Sequence, residues 1–273
     1  MGRQGMNRKR PVHLRPLDEI LNPVVGAAIS FSLVIVMWFL LTRNATGAAL
    51  FPSPEQVAAA FQRIVREGYL GSPLGESIKI SLQRIALGWS VCILLGVILG
   101  FAMNASAVVR DAVMPWLAFY RPLPPLAYLS LIVLWLGVGE TSKITLLVLA
   151  GLPPVMIGTM TALQAVRPER VEAFRSMGVG PWQTLAQLYF PTALPAILVS
   201  VRISFGACFA ALIGAEMIAS ESGIAWMVIA ATNRGATDVA MVGVLLMSAI
   251  ALAVDMALRL LQTHLVPWTK HEQ

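Results

Sequence analysis

We select three candidates among the residues that can carry a charge inside long apolar stretches of the sequence: Arg202, Glu216 and Asp255. A charge in an apolar environment is costly, so each is a candidate functional residue. The guanidinium of Arg202 could attract an anion or pair with a carboxylate, and the sequence leaves both alternatives open. Glu216 follows 14 residues later, about 21 Å along a helix. It therefore cannot pair with Arg202 within one helix. We predict that Glu216 lies nearer the outer end of its apolar stretch, with a role in a gate or in packing between helices.

Asp255 precedes Arg259 by four residues. Residues at this spacing are neighbours on one face of a helix, where opposite charges stabilise each other. We therefore predict an intrahelical ion pair with a structural role.

Residues that support catalysis are scarce or badly placed. The three histidines all lie in the terminal segments: His13, His264 and His271. The two cysteines lie inside apolar runs without the spacing of metal ligands. Residues 137–144 resemble a phosphate loop only superficially, because Ser142 precedes Lys143 where that motif needs glycine. We predict no catalytic residue, no metal site and no cofactor in this chain.

The composition excludes an ordinary soluble protein. Only 12% of the 273 residues are charged and 57% are hydrophobic, whereas soluble domains carry about 25% charged residues. Most of the surface must therefore face lipid. Such hydrophobicity also excludes a disordered chain. The net charge of +6 is concentrated in particular loops, which argues against nucleic acid as a partner.

The apolar stretches predict an all-α membrane protein with about six transmembrane helices. Five stretches approach the roughly 20 residues that a span needs, and they lie at 25–42, 82–103, 144–163, 194–219 and 239–261. A sixth, from Pro125 to Gly137, is shorter. It spans only if the adjoining segment 122–125 is held inside protein at membrane depth. Five spans is the alternative.

The distribution of basic residues predicts the orientation. With six spans, one side carries most of the basic residues: Arg3, Arg8, Lys9, Arg10, Arg15, Arg110, Arg121, Arg167, Arg170, Arg175, Arg259 and Lys270. By the positive-inside rule this side is cytoplasmic, with both termini. We predict a basic tail at 1–24, one transmembrane domain at 25–265 and a cytoplasmic tail at 266–273. Arg110 and Arg121 would share one cytoplasmic loop, and a short interfacial helix would follow Pro54 on the outer face.

The loop at about 167–191 has the pattern of a helical hairpin. Pro168 favours a helix start, the Gly178–Gly180 segment ends that helix, and Pro181 starts a second one. Pro191 then marks the entry to the next span. A hairpin joined rigidly to a membrane bundle is suited to transmitting force to a soluble partner.

The spacing of Glu172, Ala173, Gly178 and Pro191 resembles the EAA signature of permease subunits in bacterial ATP-binding cassette importers. The chain departs from the usual residues at three positions that remain apolar: Phe174, Leu188 and Phe190. Segments 119–129 and 135–143 are similar to the sulfonate, nitrate and taurine branch, and most similar to its taurine permeases. The resemblance extends from about Phe51 to Trp268.

This resemblance implies a type I importer bundle in the bacterial inner membrane, with a cytoplasmic coupling hairpin. The chain would be a non-catalytic permease that forms a homodimer. Its partners would be two ATP-binding subunits, which hold ATP and Mg, and a periplasmic binding protein that delivers taurine or a related small sulfonate. The ATPase-coupling residues would be Glu172, Ala173, Arg175, Gly178 and Pro191. In such a permease, Arg202 and Glu216 are our candidates for the translocation pathway.

Other functions remain as alternatives. A permease of this kind could instead carry nitrate, bicarbonate or a thiamine precursor. An ion-coupled secondary transporter would show inverted repeats and several carboxylates near the midplane of the membrane. The sequence shows no internal repeat and few such carboxylates. An intramembrane enzyme would need a nucleophile beside a base, which the sequence does not offer.

Overall fold

The computed structural model describes residues 23–43 and 51–267 of the chain. Within these ranges every regular element is helical, and strand-like pairing is confined to one bridge between Tyr69 and Ser72. One compact unit ends at Val57 and a second begins at Ala58. Most of the predicted tails, 1–24 and 266–273, lie outside the described residues.

The first unit contains helix α1 (Pro23–Arg43), which matches the apolar stretch predicted at 25–42. The indole nitrogen of Trp38 donates to the carbonyl of Pro52 at 3.1 Å. This hydrogen bond ties the last turns of α1 to the segment that leads into the next helix.

Helix α2 (Pro54–Glu67) starts with a capping box. The amide of Gln56 donates to Ser53 Oγ at 3.3 Å, and the amide of Ser53 donates to the Gln56 side chain at 2.8 Å. The predicted helix after Pro54 is therefore confirmed, while its position on the outer face stays a prediction.

Among the described residues, the second unit continues α2 and adds nine helices. They are α3 (Leu74–Ala105), α4 (Ala107–Tyr120), α5 (Pro125–Leu136), α6 (Glu140–Gln164), α7 (Pro168–Ser176), α8 (Pro181–Thr184), α9 (Phe190–Ala219), α10 (Ile224–Asn233) and α11 (Thr237–Leu265). The predicted helix starts at Pro168 and Pro181 are confirmed. Helix α10 was not predicted.

A π-helical turn, Leu185–Tyr189, joins α8 to α9, so Pro181–Ala219 forms one continuous helical segment. Pro191 lies in the first turn of α9, at the predicted entry to the next span, and the helical segment continues through it. In the π-helical turn the amide of Phe190 donates to the carbonyl of Leu185, five residues back. The wider turn accommodates a proline, which has no N–H to donate.

Within the described ranges, four segments are long and apolar enough to cross a membrane: α3, α6, α8–α9 and α11. Helices α4 and α5 meet the same criterion as a pair bent by 104°, which makes five. A count of six also needs α1, whose apolar part, Ala28–Arg43, is shorter. Six spans therefore stays a prediction.

The bend between α4 and α5 corrects one expectation. Arg110 lies in the first turn of α4 and Arg121 follows its last residue, so the two do not share a loop. The Pro122–Pro125 segment separates α4 from α5 at the bend, because its prolines interrupt the helical hydrogen bonds. Arg121 therefore lies at the bend between α4 and α5, at the opposite end of α4 from Arg110.

Two tyrosines fasten this bend to α6. The hydroxyl of Tyr120 donates to the carbonyl of Leu149 and lies 3.0 Å from the hydroxyl of Tyr128. Pro153 has no N–H, so the carbonyl of Leu149 lacks its usual donor within α6. The side chain of Tyr120 supplies the missing hydrogen bond.

Helices α3 and α6 pack through glycines. A side chain at Gly88, Gly96 or Gly100 of α3 would collide with Leu147, Val155 or Thr159 of α6, respectively. The separation along the chain is the same in all three pairs, so the two helices run parallel. Small residues spaced by four or eight positions lie on one face of a helix and allow such close approach between helices in a membrane.

Helix α6 also packs closely against α9. Gly151 faces Cys208 and Gly158 faces Ser200, so the contact moves backward along α9 as it moves forward along α6. The two helices are therefore antiparallel. Helix α6 lies between α3 and α9, and its residues Leu146, Leu147 and Val155 are fully buried in this core.

Candidate functional site

A buried ion network joins three helices at the end of the bundle away from α7. Arg84 of α3 donates to both carboxylate oxygens of Glu140 at 2.7 Å and to Glu216 Oε1 at 2.9 Å. It also donates to the carbonyl of Ser222 at 2.8 Å. The side chains of Arg84 and Glu216 are only 4% and 1% exposed. Because Glu140 begins α6 and Glu216 lies in the last turn of α9, the network fixes these helix ends to α3.

The start of α10 completes the network. Ser81 Oγ donates to Glu216 at 2.8 Å and accepts from the amide of Ile224 at 3.0 Å. The amide of Ala225 donates to the second carboxylate oxygen of Glu216 at 3.1 Å. Both oxygens of this buried carboxylate are therefore hydrogen-bonded, which offsets much of the cost of burying its charge.

The charges of the network balance. Lys143 donates to Glu140 at 2.9 Å, so two cations, Arg84 and Lys143, face two carboxylates, Glu140 and Glu216. Glu140 is the member that reaches the surface, with a side chain 56% exposed. The network is electrically neutral and offers no free charge to a ligand.

Gly223 lies directly against the carboxylate of Glu216. Its φ of 112° and ψ of 170° belong to a region that essentially only glycine adopts. A side chain there would also overlap the carboxylate of Glu216. The chain turns from α9 into α10 at this point because glycine satisfies both requirements.

A second charged cluster joins the middle of α9 to α11. Arg202 donates to Asp255, and Arg259 donates to the same carboxylate at 2.9 Å. The predicted pair between Asp255 and Arg259 is thereby confirmed. Of the two alternatives for Arg202, the structure has the carboxylate pair, although a role toward an anion stays a prediction. With two arginines and one aspartate, the cluster keeps one net positive charge.

The hairpin formed by α7 and α8 protrudes from the bundle. Among the residues of α7 none is buried, and the side chains of Met177 and Trp182 are 66% and 80% exposed. Gly178, between the two helices, has a φ of 73°. No neighbouring atom lies within 4 Å of the position that a Cβ would occupy there. Large apolar side chains exposed beside charged ones are typical of a surface that binds another protein.

The predicted coupling residues do not all lie at one place. Glu172 and Arg175 line a groove of about 310 Å³ at the base of the hairpin, together with Tyr189. Ala173 contributes its carbonyl, which accepts from the amide of Met177 and closes the last turn of α7. Pro191 lies beyond this groove, inside the continuous helix that enters the membrane domain.

An open cavity of about 480 Å³ lies against the middle of α6 and α9. Its walls take residues 150–158 from α6 and 200–207 from α9. The bend between α4 and α5 completes the lining, with polar side chains from Tyr120, Arg121 and Tyr128. This volume is within the range of about 300–1,000 Å³ typical of small-molecule pockets.

Sequence reasoning missed several of these residues. Arg84 lies inside the apolar stretch predicted at 82–103, so the criterion that selected Arg202 applied to it as well. Glu140 and Lys143 were not selected, because nothing local indicates that a partner 56 residues away reaches Glu140. Among the described residues, no three His, Cys, Asp or Glu side chains are grouped closely enough to hold a metal ion.

The sequence as a whole matches known transport proteins. Residues 92–271 match the family described as the binding-protein-dependent transport system inner membrane component. The chain is 37% identical over 237 residues to the taurine transport system permease protein TauC of Escherichia coli, covering 86% of each chain. It is 29% identical over 238 residues to the putative aliphatic sulfonates transport permease protein SsuC of Bacillus subtilis, covering 87% of this chain and 85% of that one.

A solved structure shares the fold. The inward-facing MetNI methionine ABC transporter aligns with a TM-score of 0.58 and 16% identity, covering 70% of this chain and 97% of the matched chain. The helical bundle is therefore that of a type I importer permease. The chain belongs to the family of inner membrane components of binding-protein-dependent transport systems. It is an ABC transporter permease of the taurine, sulfonate and nitrate branch, a multi-pass protein of the inner membrane.

Proposed function

We propose that this chain is the permease of an ATP-driven importer for taurine or a related small sulfonate. The observation that carries the proposal is the 37% identity to TauC over 86% of both chains. The further likeness to an SsuC protein supports sulfonates as the substrate class. The permease would act as a homodimer with two ATP-binding subunits, which hold ATP and Mg, and with a periplasmic substrate-binding protein.

The hairpin is the proposed contact to the ATP-binding subunits. Its exposed side chains, Met177 and Trp182, offer apolar contact area, and Glu172 and Arg175 offer charges beside the groove. Because α8 continues through Pro191 into α9, a displacement of the hairpin would be passed directly to the membrane domain. Gly178 sets the angle between α7 and α8, and Ala173 ends α7 through its carbonyl.

Two residues of α9 are proposed for the pathway. Arg202 precedes Ile203, which lines the mid-helix cavity, and its cluster keeps a net positive charge that favours an approaching anion. Glu216 holds the opposite end of α9 to Arg84. We propose that the network around Glu216 closes the outer end of the pathway and that both termini are cytoplasmic.

Deletion of the gene tests the proposed substrate. Cells lacking the gene should fail to grow on a low concentration of taurine as sole sulfur source, and the cloned gene should restore growth. Normal taurine uptake combined with loss of nitrate, bicarbonate or thiamine-precursor uptake would assign the permease to another substrate.

The orientation is tested by single-cysteine labelling of intact cells. The native residues Cys92 and Cys208 are fully buried, so polar reagents should not reach them. A cysteine at Asn233 should react from outside, and one at Asn104 or Gly180 only after the membrane is opened. External labelling at Gly180 would contradict the proposed orientation.

The hairpin is tested by Gly178→Val. A β-branched residue at a φ of 73° is strained, so the second helix should be re-aimed while the membrane domain still inserts. We expect normal abundance in the membrane together with loss of taurine-stimulated ATPase activity in the reconstituted complex. Normal stimulation at normal abundance would remove the coupling role of the hairpin.

A further inference from the structure

Three arginines of the second unit, Arg84, Arg121 and Arg202, differ in their partners. Arg84 binds two carboxylates, and Arg202 binds Asp255. Arg121 has only its backbone amide bonded; within residues 23–43 and 51–267 its guanidinium has neither a hydrogen bond nor an ion pair. The charge of Arg121 is therefore available to a ligand.

Arg121 lies at a depth where an unpaired charge is costly. It lines the cavity whose other walls are residues 150–158 of α6 and 200–207 of α9. These segments are near the middle of α6 (Glu140–Gln164) and of α9 (Phe190–Ala219). A cation held in a cavity at the middle of two spanning helices marks an anion pathway or site, and a guanidinium binds planar or tetrahedral oxyanions through several N–H groups.

One residue that lines the same cavity, Ala150, has a carbonyl that has lost its helical donor. Pro154 has no N–H, so it cannot donate to the carbonyl of Ala150, and both residues line the cavity. The neighbouring proline, Pro153, has the same effect on Leu149, but there Tyr120 supplies the missing donor. The cavity therefore combines an unpaired cation with a carbonyl that can accept from an ammonium group.

We infer that this cavity is a substrate site of the permease itself and that it binds a small zwitterionic sulfonate. Arg121 binds the sulfonate, and the carbonyl of Ala150 accepts from the ammonium group. The substrate class rests on the function proposed above, whereas the location rests on the cavity and its two polar groups. Selectivity is then shared between this chain and the protein that delivers the substrate.

The anion site is tested by charge-selective labelling of the complex of permease and ATP-binding subunits in nanodiscs. Ala207→Cys places a thiol in the cavity wall, and the chain without it controls for the buried native cysteines. Two methanethiosulfonate reagents are compared, one carrying a sulfonate and the other a quaternary ammonium. The sulfonate reagent should react faster, and Arg121→Gln should lower the ratio of the two rates about tenfold.

Two variants make this result specific. Arg121→Lys keeps the charge and should keep the preference for the sulfonate reagent. Arg110→Gln removes a cation from α4 that pairs with Asp111 and does not line the cavity, so its ratio should equal that of the parent. An unchanged ratio in Arg121→Gln, or an equal loss in Arg121→Lys, would overturn the anion site.

The ammonium contact is tested by substrate protection of the same thiol. Taurine should protect Ala207→Cys at about tenfold lower concentration than ethanesulfonate, which lacks the amino group. Pro154→Ala restores an N–H for the carbonyl of Ala150 and should bring the two protecting concentrations together. Pro195→Ala removes a proline from α9 outside the cavity and should leave the difference intact.

The outcomes separate this inference from the proposed function. If the complex imports a sulfonate but no sulfonate protects the thiol, the substrate site is overturned and the proposed function stands. If Pro154→Ala keeps the full preference for taurine, the Ala150 contact is overturned. If the complex imports no sulfonate, the proposed function and the substrate class fail together, and the labelling ratio still decides whether the cavity is an anion site.

Discussion

The two ends of the membrane domain are stabilised in different ways. At the end formed by Arg84, Glu140 and Glu216, charges from three helices are paired with one another, and Arg84 and Glu216 are buried. At the end formed by α7 and α8, no residue of α7 is buried and Trp182 is 80% exposed. At the first end the charges find their partners within the described residues, while the second end presents a surface suited to a partner protein. Substitutions at the first end should therefore change folding, and substitutions at the second should change binding.

The largest effect on stability is expected from Arg84→Met. The variant leaves the carboxylate of Glu216 buried without its cation, and breaking a buried pair in this way costs about 3–5 kcal/mol. The free energy of unfolding of the purified protein in detergent measures the loss. Arg63→Met is the matched control, because Arg63 and Asp238 form an exposed pair whose loss costs about 0–1 kcal/mol. Equal losses in the two variants would show that the network does not stabilise its end of the bundle.

A smaller effect is expected from Gly223→Ala. Alanine is strained at a φ of 112°, and its Cβ would overlap the carboxylate of Glu216. The strain alone costs about 1–3 kcal/mol. Gly235→Ala shares the positive φ but meets no neighbouring atom, so it should be less destabilising in the same unfolding measurement. A greater loss in Gly235→Ala would contradict the close fit around Glu216.

Trp182→Ala should leave the free energy of unfolding within about 0.5 kcal/mol of the parent, because the side chain is exposed. Its affinity for the ATP-binding subunit should fall about tenfold or more, as expected for a large aromatic side chain at an interface. Trp135→Ala, on α5 and 73% exposed, controls for the loss of an exposed indole. If both variants bind the ATP-binding subunit like the parent, the hairpin surface is not the contact.

The smallest effect is expected at the cluster between the two ends. Arg259 is 62% exposed and pairs with Asp255 one helical turn away, so Arg259→Gln should cost about 0.3–0.5 kcal/mol. Arg202→Gln should cost more, because it removes a contact between α9 and α11. The same unfolding measurement compares them, and a larger loss in Arg259→Gln would place the stabilising contact within α11 alone.

The helices of the membrane domain were predictable because hydropathy and proline position act locally. The stretches predicted at 144–163 and 239–261 lie within α6 and α11. The starts at Pro168 and Pro181 follow from the preference of proline for the first turn of a helix. In each case the residues that decide the structure are neighbours in the sequence.

The buried network could not be predicted in the same way. Arg84 meets Glu140 and Glu216 across 56 and 132 positions of sequence, and no periodicity indicates such contacts. The bend after Tyr120 was also not predicted, because the contact from Tyr120 to Leu149 that holds it against α6 joins residues 29 positions apart. The mid-helix cavity was missed for the same reason, since its walls come from three separate parts of the chain.

The glycine contacts along α6 restrict how the domain can move. Gly88, Gly96 and Gly100 of α3 each receive one side chain of α6, and Gly151 and Gly158 receive Cys208 and Ser200 of α9. Sliding either neighbour along α6 by a fraction of a turn would force these side chains against helix backbone. Shear between the three helices is therefore blocked, and α3, α6 and α9 should travel as one rigid body. Any opening of the domain must then come from hinge-like rotation of this body, or from movement of the bent pair α4–α5.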